Sequence, residues 1–252
     1  MFISILLVFS SVCNVSFASG GLVFDAISSA IAVDACSTRF SKPDDKQGTG
    51  TLYVQHEPTW NHRNAFLKFD LSQFSVDEIE ACDRAELVLK HVELTFGGVS
   101  VYLLSEAANG WIGSETTYNT ANNNGMMNDA TLISKDNGAF ADNKVNISID
   151  GTVLAAALKA SSSKIVTLRI DPLSTATSPW GFVGISSNEA NAAKLNFVTE
   201  VNIEQEMQLL KDDLDFSLIS SENQNSVTQD LDFETATSGK YGIKIEWSSL
   251  DE

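Results

Sequence analysis

From Asp34 to Val201 the chain runs through short segments in which apolar and polar residues alternate with a period of two, and this alternation constrains the fold most. Successive strand residues point to opposite faces, so each such segment buries one side and wets the other. The segments are Asp34–Phe40, Leu52–His56, Asn64–Leu71, Ala85–Leu94, Val99–Leu104, Val145–Ile149, Lys164–Asp171, Gly181–Ser186 and Lys194–Val201. Turn-forming clusters stand between some of them: Lys46-Gln-Gly-Thr-Gly50, Gly97-Gly98, Asn122-Asn-Asn-Gly125 and Asp136-Asn-Gly138. Helical periodicity before residue 200 is confined to Thr152–Lys159. Eight or nine strands with short connections predict an all-β fold, an antiparallel jelly-roll-like β-sandwich. The stretch Asn119–Asp142 is predicted to be a long Asn-rich loop.

The two ends of the chain differ from this middle. Residues 1–18 predict a secretory signal peptide: an apolar run Phe2–Phe9 is followed by small residues, with Ser16 and Ala18 at the −3 and −1 positions of a cleavage site. The run is too short and too Ser-rich for a membrane span, and no other stretch approaches span length. The expected product is a secreted, extracellular protein. A lead segment, residues 19–31, precedes the sandwich at 32–202, and an acidic C-terminal extension fills 203–252. The last 53 residues hold 13 acidic and 3 basic side chains, so they carry −10 of a total charge of −17. One helix is expected at Ile203–Leu210 and one strand at Ile243–Trp247. The remainder reads as solvated linker, a candidate binder of calcium or a protein partner. With 16 Lys+Arg against 33 Asp+Glu, nucleic acid is excluded as the expected partner, because phosphate binding needs a basic surface.

Removing the signal would take away Cys13 and leave Cys36 and Cys82. Two cysteines in an exported chain predict a disulfide, worth about 4 kcal/mol in the chain-entropy account, with two separate buried thiols as the alternative. Neither stands in a zinc-ligand spacing.

Five segments, taken together, resemble a known family. Arg63-Asn-Ala-Phe-Leu-Lys-Phe-Asp-Leu71 is similar to the R-x-x-L-K-F-D-L strand of DNRLRE-type domains, and Ile79 with Ala85-Glu-Leu-Val-Leu89 to the strand that follows. Trp111-Ile-Gly-Ser-Glu-Thr-Thr-Tyr-Asn119 resembles the W-x-E-x-x-T-W-N segment, with Tyr118 as the second aromatic and without the Pro that commonly follows. Ile149-Asp-Gly-Thr-Val153 resembles a turn into a short helix, and Phe182-Val-Gly-Ile-Ser-Ser-Asn-Glu-Ala190 with Leu195 a late strand. The resemblance covers about residues 32–200 and includes family 96 of the carbohydrate-binding modules. It implies a jelly-roll sandwich that binds polysaccharide, with anionic glycans such as alginate as targets. A structural calcium ion is a further expectation for sugar-binding jelly rolls, with ligands unknown.

Little in the sequence supports catalysis. The histidines are His56, His62 and His91, no Ser stands in a nucleophile elbow, and no metal motif occurs. Acids such as Asp44, Asp45, Asp129 and Asp136 flank turns, and no carboxylate pair stands out. Strand parity identifies what a sugar could meet. Ala65, Leu67 and Phe69 read as core, against His62, Asn64, Phe66 and Lys68. Lys90, Tyr102 and Arg169 fall on non-core parity in their own strands. Arg63 has core parity but stands at the start of its strand, where it can snorkel to the rim beside Trp60. The candidate ligand-binding residues are therefore Trp60, His62, Arg63, Lys68, Lys90 and Tyr102: aromatic surface for the C–H face of a sugar, and donors for its carboxylates. Phe66 reads either as surface or as the core of a second layer, and Trp111, Tyr118 and Trp180 as structural. The leading expectation is a non-catalytic module for an acidic polysaccharide. The rivals are a structural or adhesion protein of the cell surface or matrix, and a polysaccharide lyase or hydrolase with an unrecognised site.

Overall fold

The structure is a computed structural model that describes residues 6–8, 15–18, 21–57, 61–93, 97–136, 139–141, 143–173, 178–202 and 244–246. In chain order its elements are β1 (Leu6–Val8), β2 (Val15–Ala18), β3 (Gly21–Arg39), β4 (Thr51–Val54), β5 (Arg63–Asp70), α1 (Val76–Glu80), β6 (Arg84–Glu93), β7 (Val99–Leu104), α2 (Tyr118–Asn123), β8 (Ala130–Asp136), β9 (Ala139–Ala141), β10 (Lys144–Ile149), α3 (Gly151–Ala160), β11 (Ile165–Pro172), β12 (Trp180–Val183), β13 (Lys194–Asn202) and β14 (Lys244–Glu246). The chain divides into two units, residues 27–199 and residues 1–26 with 200–252.

The larger unit is an antiparallel β-sandwich, as the alternation requires. One sheet has the order β3-β5-β11-β7-β8. The other is built on β6, which pairs with β10 and, through different stretches of its length, with β12 and β13; β9 lies beyond β10 and β4 beyond β12. Strand β3 serves both sheets. Around Ala32 it bonds toward β13 (Ala32 N to Ala193 O, 2.9 Å), and from Ala32 onward, across an irregularity before Asp34, it pairs with β5. A break in register of this kind bends a strand and lets it turn a corner.

The core is the inward parity of both sheets. Ala65, Leu67 and Phe69 of β5 and Val166, Leu168 and Ile170 of β11 pack with Leu87 and Leu89 of β6, Val145 and Ile147 of β10, and Leu195 and Phe197 of β13. Each fully buried Leu or Phe contributes about 1.5–3 kcal/mol. The expected helix forms as α3. Asp150 caps it by accepting from the amides of Thr152 and Val153, while Leu154, Ala155 and Leu158 enter the core. Helix α1 was not expected, since five residues are too few to show periodicity. Its signal is the capping box of Ser75 and Glu78.

Two expectations are corrected here. The stretch Asn119–Asp142 is not one loop. Thr117 and Thr120 form a capping box that starts α2, and Asn122-Asn-Asn-Gly125 ends it. Gly125, at φ +77°, takes the left-handed position, and the Met126 amide returns to the Ala121 carbonyl at 3.0 Å. Strand β8 then pairs with β7, with a register shift opposite Val101/Tyr102 that interrupts the alternation. The disulfide is also absent: Cys36 and Cys82 are free thiols. Cys36 lies on the outward parity of β3, in a cluster with Phe66. Cys82 follows α1, packs against the main core and donates to the Glu78 carbonyl at 3.0 Å. A sheet separates the two environments, so no bond can join them.

In the second unit β1 pairs with β14 (Leu7↔Ile245), and β2 forms a hairpin with the start of β3. The strand expected at Ile243–Trp247 is β14. The helix expected at Ile203–Leu210 lies outside the described residues. Among the described residues no helix is long and apolar enough to cross a membrane.

Candidate functional site

Strands β3, β5, β11 and β7 direct every second residue away from the core, and their register sorts these residues into rows. Asp34, Lys68 and Thr167 form one row; Cys36, Phe66, Arg169 and Tyr102 the next; Thr38 and Asn64 the third, with Asp171 and Ser100. Beyond them the Phe40 amide bonds to the His62 carbonyl at 3.0 Å, which adds a last row at the strand ends.

The segment between β7 and β8 covers the first part of this face. Trp111, 4% exposed, packs with Phe66, Cys36, Leu104, Ala108, Ala121 and Met126 in a second apolar cluster, and its indole donates to Thr167 Oγ1 at 3.1 Å. Phe66 is therefore the core of a second layer. The chain approaches the sheet so closely at Gly113 that a Cβ there would overlap the Ala35 carbonyl. Asp34 fastens this contact, its carboxylate accepting from the amides of Ala35 and Gly113, each at 2.9 Å.

Beyond the cover lies a polar strip bounded by aromatic rings. At the β3 side Phe40 is 47% exposed and meets Tyr118 edge-on, with ring centroids 5.3 Å apart. On β7 the Tyr102 ring lies 4.4 Å from the Arg169 guanidinium carbon. Between them stand His62, Asn64 and Asp171. The Asn64 amide donates to Asp171 Oδ1 and approaches His62 Nε2 at 3.3 Å, and Arg169 pairs with Asp171 Oδ2 at 3.0 Å. Burial holds the His62 imidazole below its ordinary pKa; Asp171 opposes this shift, while His56 and Arg169 add to it. The His56 ring lies edge-on to His62 at 5.8 Å.

The cations chosen from parity do not gather here. The Lys68 ammonium bonds to the Trp111 carbonyl and lies 4.5 Å from the centre of the Trp111 ring, under the covering segment. Lys90 lies on the outward face of the opposite sheet and bonds to Asn191 Oδ1 at 2.7 Å. Arg169 is 7% exposed and directs its two terminal nitrogens at the carbonyls of Met126 and Met127 and at Asp171, while its buried Nε has no hydrogen-bond partner. Arg63 stands at the sandwich rim with its guanidinium carbon 5.5 Å from the Tyr53 ring centre. His62 and Tyr102 are on the strip, and Trp60 lies outside the described residues. The buried Trp180 donates to His91 Nδ1 at 2.8 Å, inside the other sheet. Sequence reasoning missed Phe40 because it closes a strand whose partner row was unknown. Its apolar ring on the parity of Thr38 was the available signal. As for a calcium site, among the described residues no three His, Cys, Asp or Glu side chains come close enough together to hold a metal ion.

Rings flanking half-buried His62 and Asp171, which buried Asn64 holds from beneath, suit the alternating apolar and hydroxyl surfaces of a sugar. Fold and face together define a β-sandwich carbohydrate-binding module. Residues 34–201 match the family model of Carbohydrate-binding module family 96, and the chain belongs to that family. No curated protein matches the chain in sequence.

Proposed function

We propose that the chain is a secreted, non-catalytic module that holds an acidic polysaccharide of the alginate type across the strip. The observation that carries this reading is the placement of exposed Phe40 and half-buried Tyr102 on either side of His62, Asn64 and Asp171. From β3 to β7 the strip crosses three inter-strand spacings, about 14 Å, the reach of a short oligosaccharide lying across the strands. Asp171 is the strip's own carboxylate, and both its oxygens are engaged, by Asn64 and by Arg169. It is thereby held as an orienting group and not as a free base, which supports binding without bond cleavage.

Affinity electrophoresis against alginate, pectate and a neutral glucan tests the proposal. Retardation by the acidic gels is expected, with Phe40→Ala and Tyr102→Ala each losing about tenfold or more in affinity, the worth of about 1.5 kcal/mol. Unsaturated or reducing products released from alginate would replace this reading with the lyase or hydrolase one. Secretion rests on residues 1–18, and a mass of the exported protein lacking Met1–Ala18 is its check.

A further inference from the structure

With Lys68, Lys90 and Arg169 engaged elsewhere, the acidic-glycan reading needs a cation that is free to meet a carboxylate. One such place lies at the end of the β3–β5 pair. Arg39 and Arg63 are register partners at the end of the β3–β5 pair. Opposite residues of an antiparallel pair point to the same face, and these two continue the inward rows Ser37↔Ala65 and Ala35↔Leu67 past the end of the core. Two like charges placed directly opposite each other destabilise a sheet. Proteins usually relieve such a pair with a carboxylate, yet here neither guanidinium has an ion-pair partner among the described residues.

The partners they do have are neutral. Arg39 Nε donates to Asn61 Oδ1 at 2.7 Å, an oxygen shared with Ser41. Arg63 lies against the Tyr53 ring, and its buried Nε has no hydrogen-bond partner. Burial and the charge of Arg39 both lower the Arg63 pKa, as the absence of a neutralising anion requires. In a chain carrying 33 acidic residues, two guanidiniums set opposite each other without a carboxylate between them repel, and an anion that meets both relieves that repulsion. A forked guanidinium takes a planar carboxylate or a sulfate through two parallel N–H bonds.

The pair also stands next to the strip. Arg39 precedes Phe40 and Arg63 follows His62 on the opposite parity, so the two arginines stand where the β3–β5 pair ends, and a glycan lying on Phe40 would meet them by continuing around that end. We infer that Arg39 and Arg63 form an oxyanion subsite that takes a carboxylate or sulfate ester of the bound glycan, with Tyr53 and Asn61 fixing the two guanidiniums. This rests on the polysaccharide reading above. It assigns the recognition of charge to the rim, away from Lys68 and Lys90.

The test is calorimetric titration of the full chain and of three variants, Arg39→Gln, Arg63→Gln and Arg63→Lys, with thermal unfolding to confirm that each is folded. The probes are oligomannuronate, a sulfated galactan oligosaccharide and a neutral cello-oligosaccharide. The wild type should bind at least one charged probe with an affinity that falls as salt rises. Each glutamine variant should lose about tenfold or more and most of the salt dependence, and Arg63→Lys should recover only part. The carboxylated and sulfated arms separate the two sources of the oxyanion. Undiminished binding of the charged probe by folded Arg39→Gln and Arg63→Lys overturns the subsite while leaving the module reading in place. Wild-type binding to the neutral probe alone does the same. No binding to any probe overturns both.

Discussion

Replacing Lys68 with Met separates the two roles this lysine can have. Parity alone makes Lys68 a surface cation and a ligand contact. The structure instead holds its ammonium against the Trp111 carbonyl and over the Trp111 ring. Met keeps most of the alkyl stem and removes only the charge. A hydrogen bond from a charged group contributes about 1.5–3 kcal/mol, and a cation–π contact about 0.5–2 kcal/mol. The two share one ammonium and do not add, so a loss of about 2–3 kcal/mol is expected. Asp34 also loses a nearby positive charge, although it retains its bonds to Ala35 and Gly113. For a unit of this size each kcal/mol moves the midpoint by about 2–4 °C, so Lys68→Met should melt about 5–10 °C lower by circular dichroism. Glycan affinity at 25 °C, where the variant is still folded, should stay within about twofold of wild type. An unchanged midpoint together with a tenfold loss of affinity would refute the assignment and return Lys68 to the ligand.

Two further outcomes follow from the same geometry. Reduction should leave the mass of the native protein unchanged, and a thiol reagent should label half-exposed Cys82 in the native state but Cys36 only on unfolding, since burial pushes the Cys36 thiol far up; a gain of two hydrogens on reduction would restore the disulfide. Glu106 accepts from the amides of Ser162 and Ser163 and from the hydroxyls of Ser161 and Ser162, which lowers its pKa from 4.5 to about 2. A carboxylate lowered in the folded state stabilises fully above its unfolded value and loses that contribution as pH falls toward 2. The midpoint of wild type should thus fall more steeply between pH 4.5 and 2 than that of Glu106→Gln, and parallel curves would count against it.

Local pattern was enough for nine of the strands and for α3, and insufficient for the short helices, for β8 and for the layers. The alternation of Ala65, Leu67 and Phe69 placed the core face of β5 correctly, because a half-buried strand writes its environment into every second residue. The other face of the same strand carried Phe66 and Lys68, whose surroundings are set by Trp111, 43 residues beyond Lys68. Nothing in a period-two count reports that a later segment will fold over one end of the strand and not the other. The Asn-rich stretch failed for a related reason. Asn-Asn-Asn-Gly was legible as a turn, but its function as a helix C-cap depends on Ala121 and Met126 being buried together against Phe66. The rim arginines were half legible. Arg63 was chosen for its place at a strand start, whereas Arg39 became significant only through register.

The covering segment and the strip are mechanically connected, and Arg169 is the connection. Its guanidinium bonds the carbonyls of Met126 and Met127 at the end of the α2 turn, pairs with Asp171, and stacks on Tyr102. Met126 is in turn held in the apolar cluster by Trp111 and Phe66. The aromatic residues of this cluster bury about 150–250 Å² each, and burial at about 25 cal/mol per Å² stabilises the cover enough to fix those two carbonyls. With the carbonyls fixed, Arg169 has little freedom, and Asp171 and Tyr102 are ordered before any glycan arrives. A surface ordered in advance loses less side-chain entropy on binding, at about 0.5–1.5 kcal/mol per side chain that need not be immobilised. The cover therefore does more than close one end of a sheet: it sets the rigidity of the strip proposed to bind beside it.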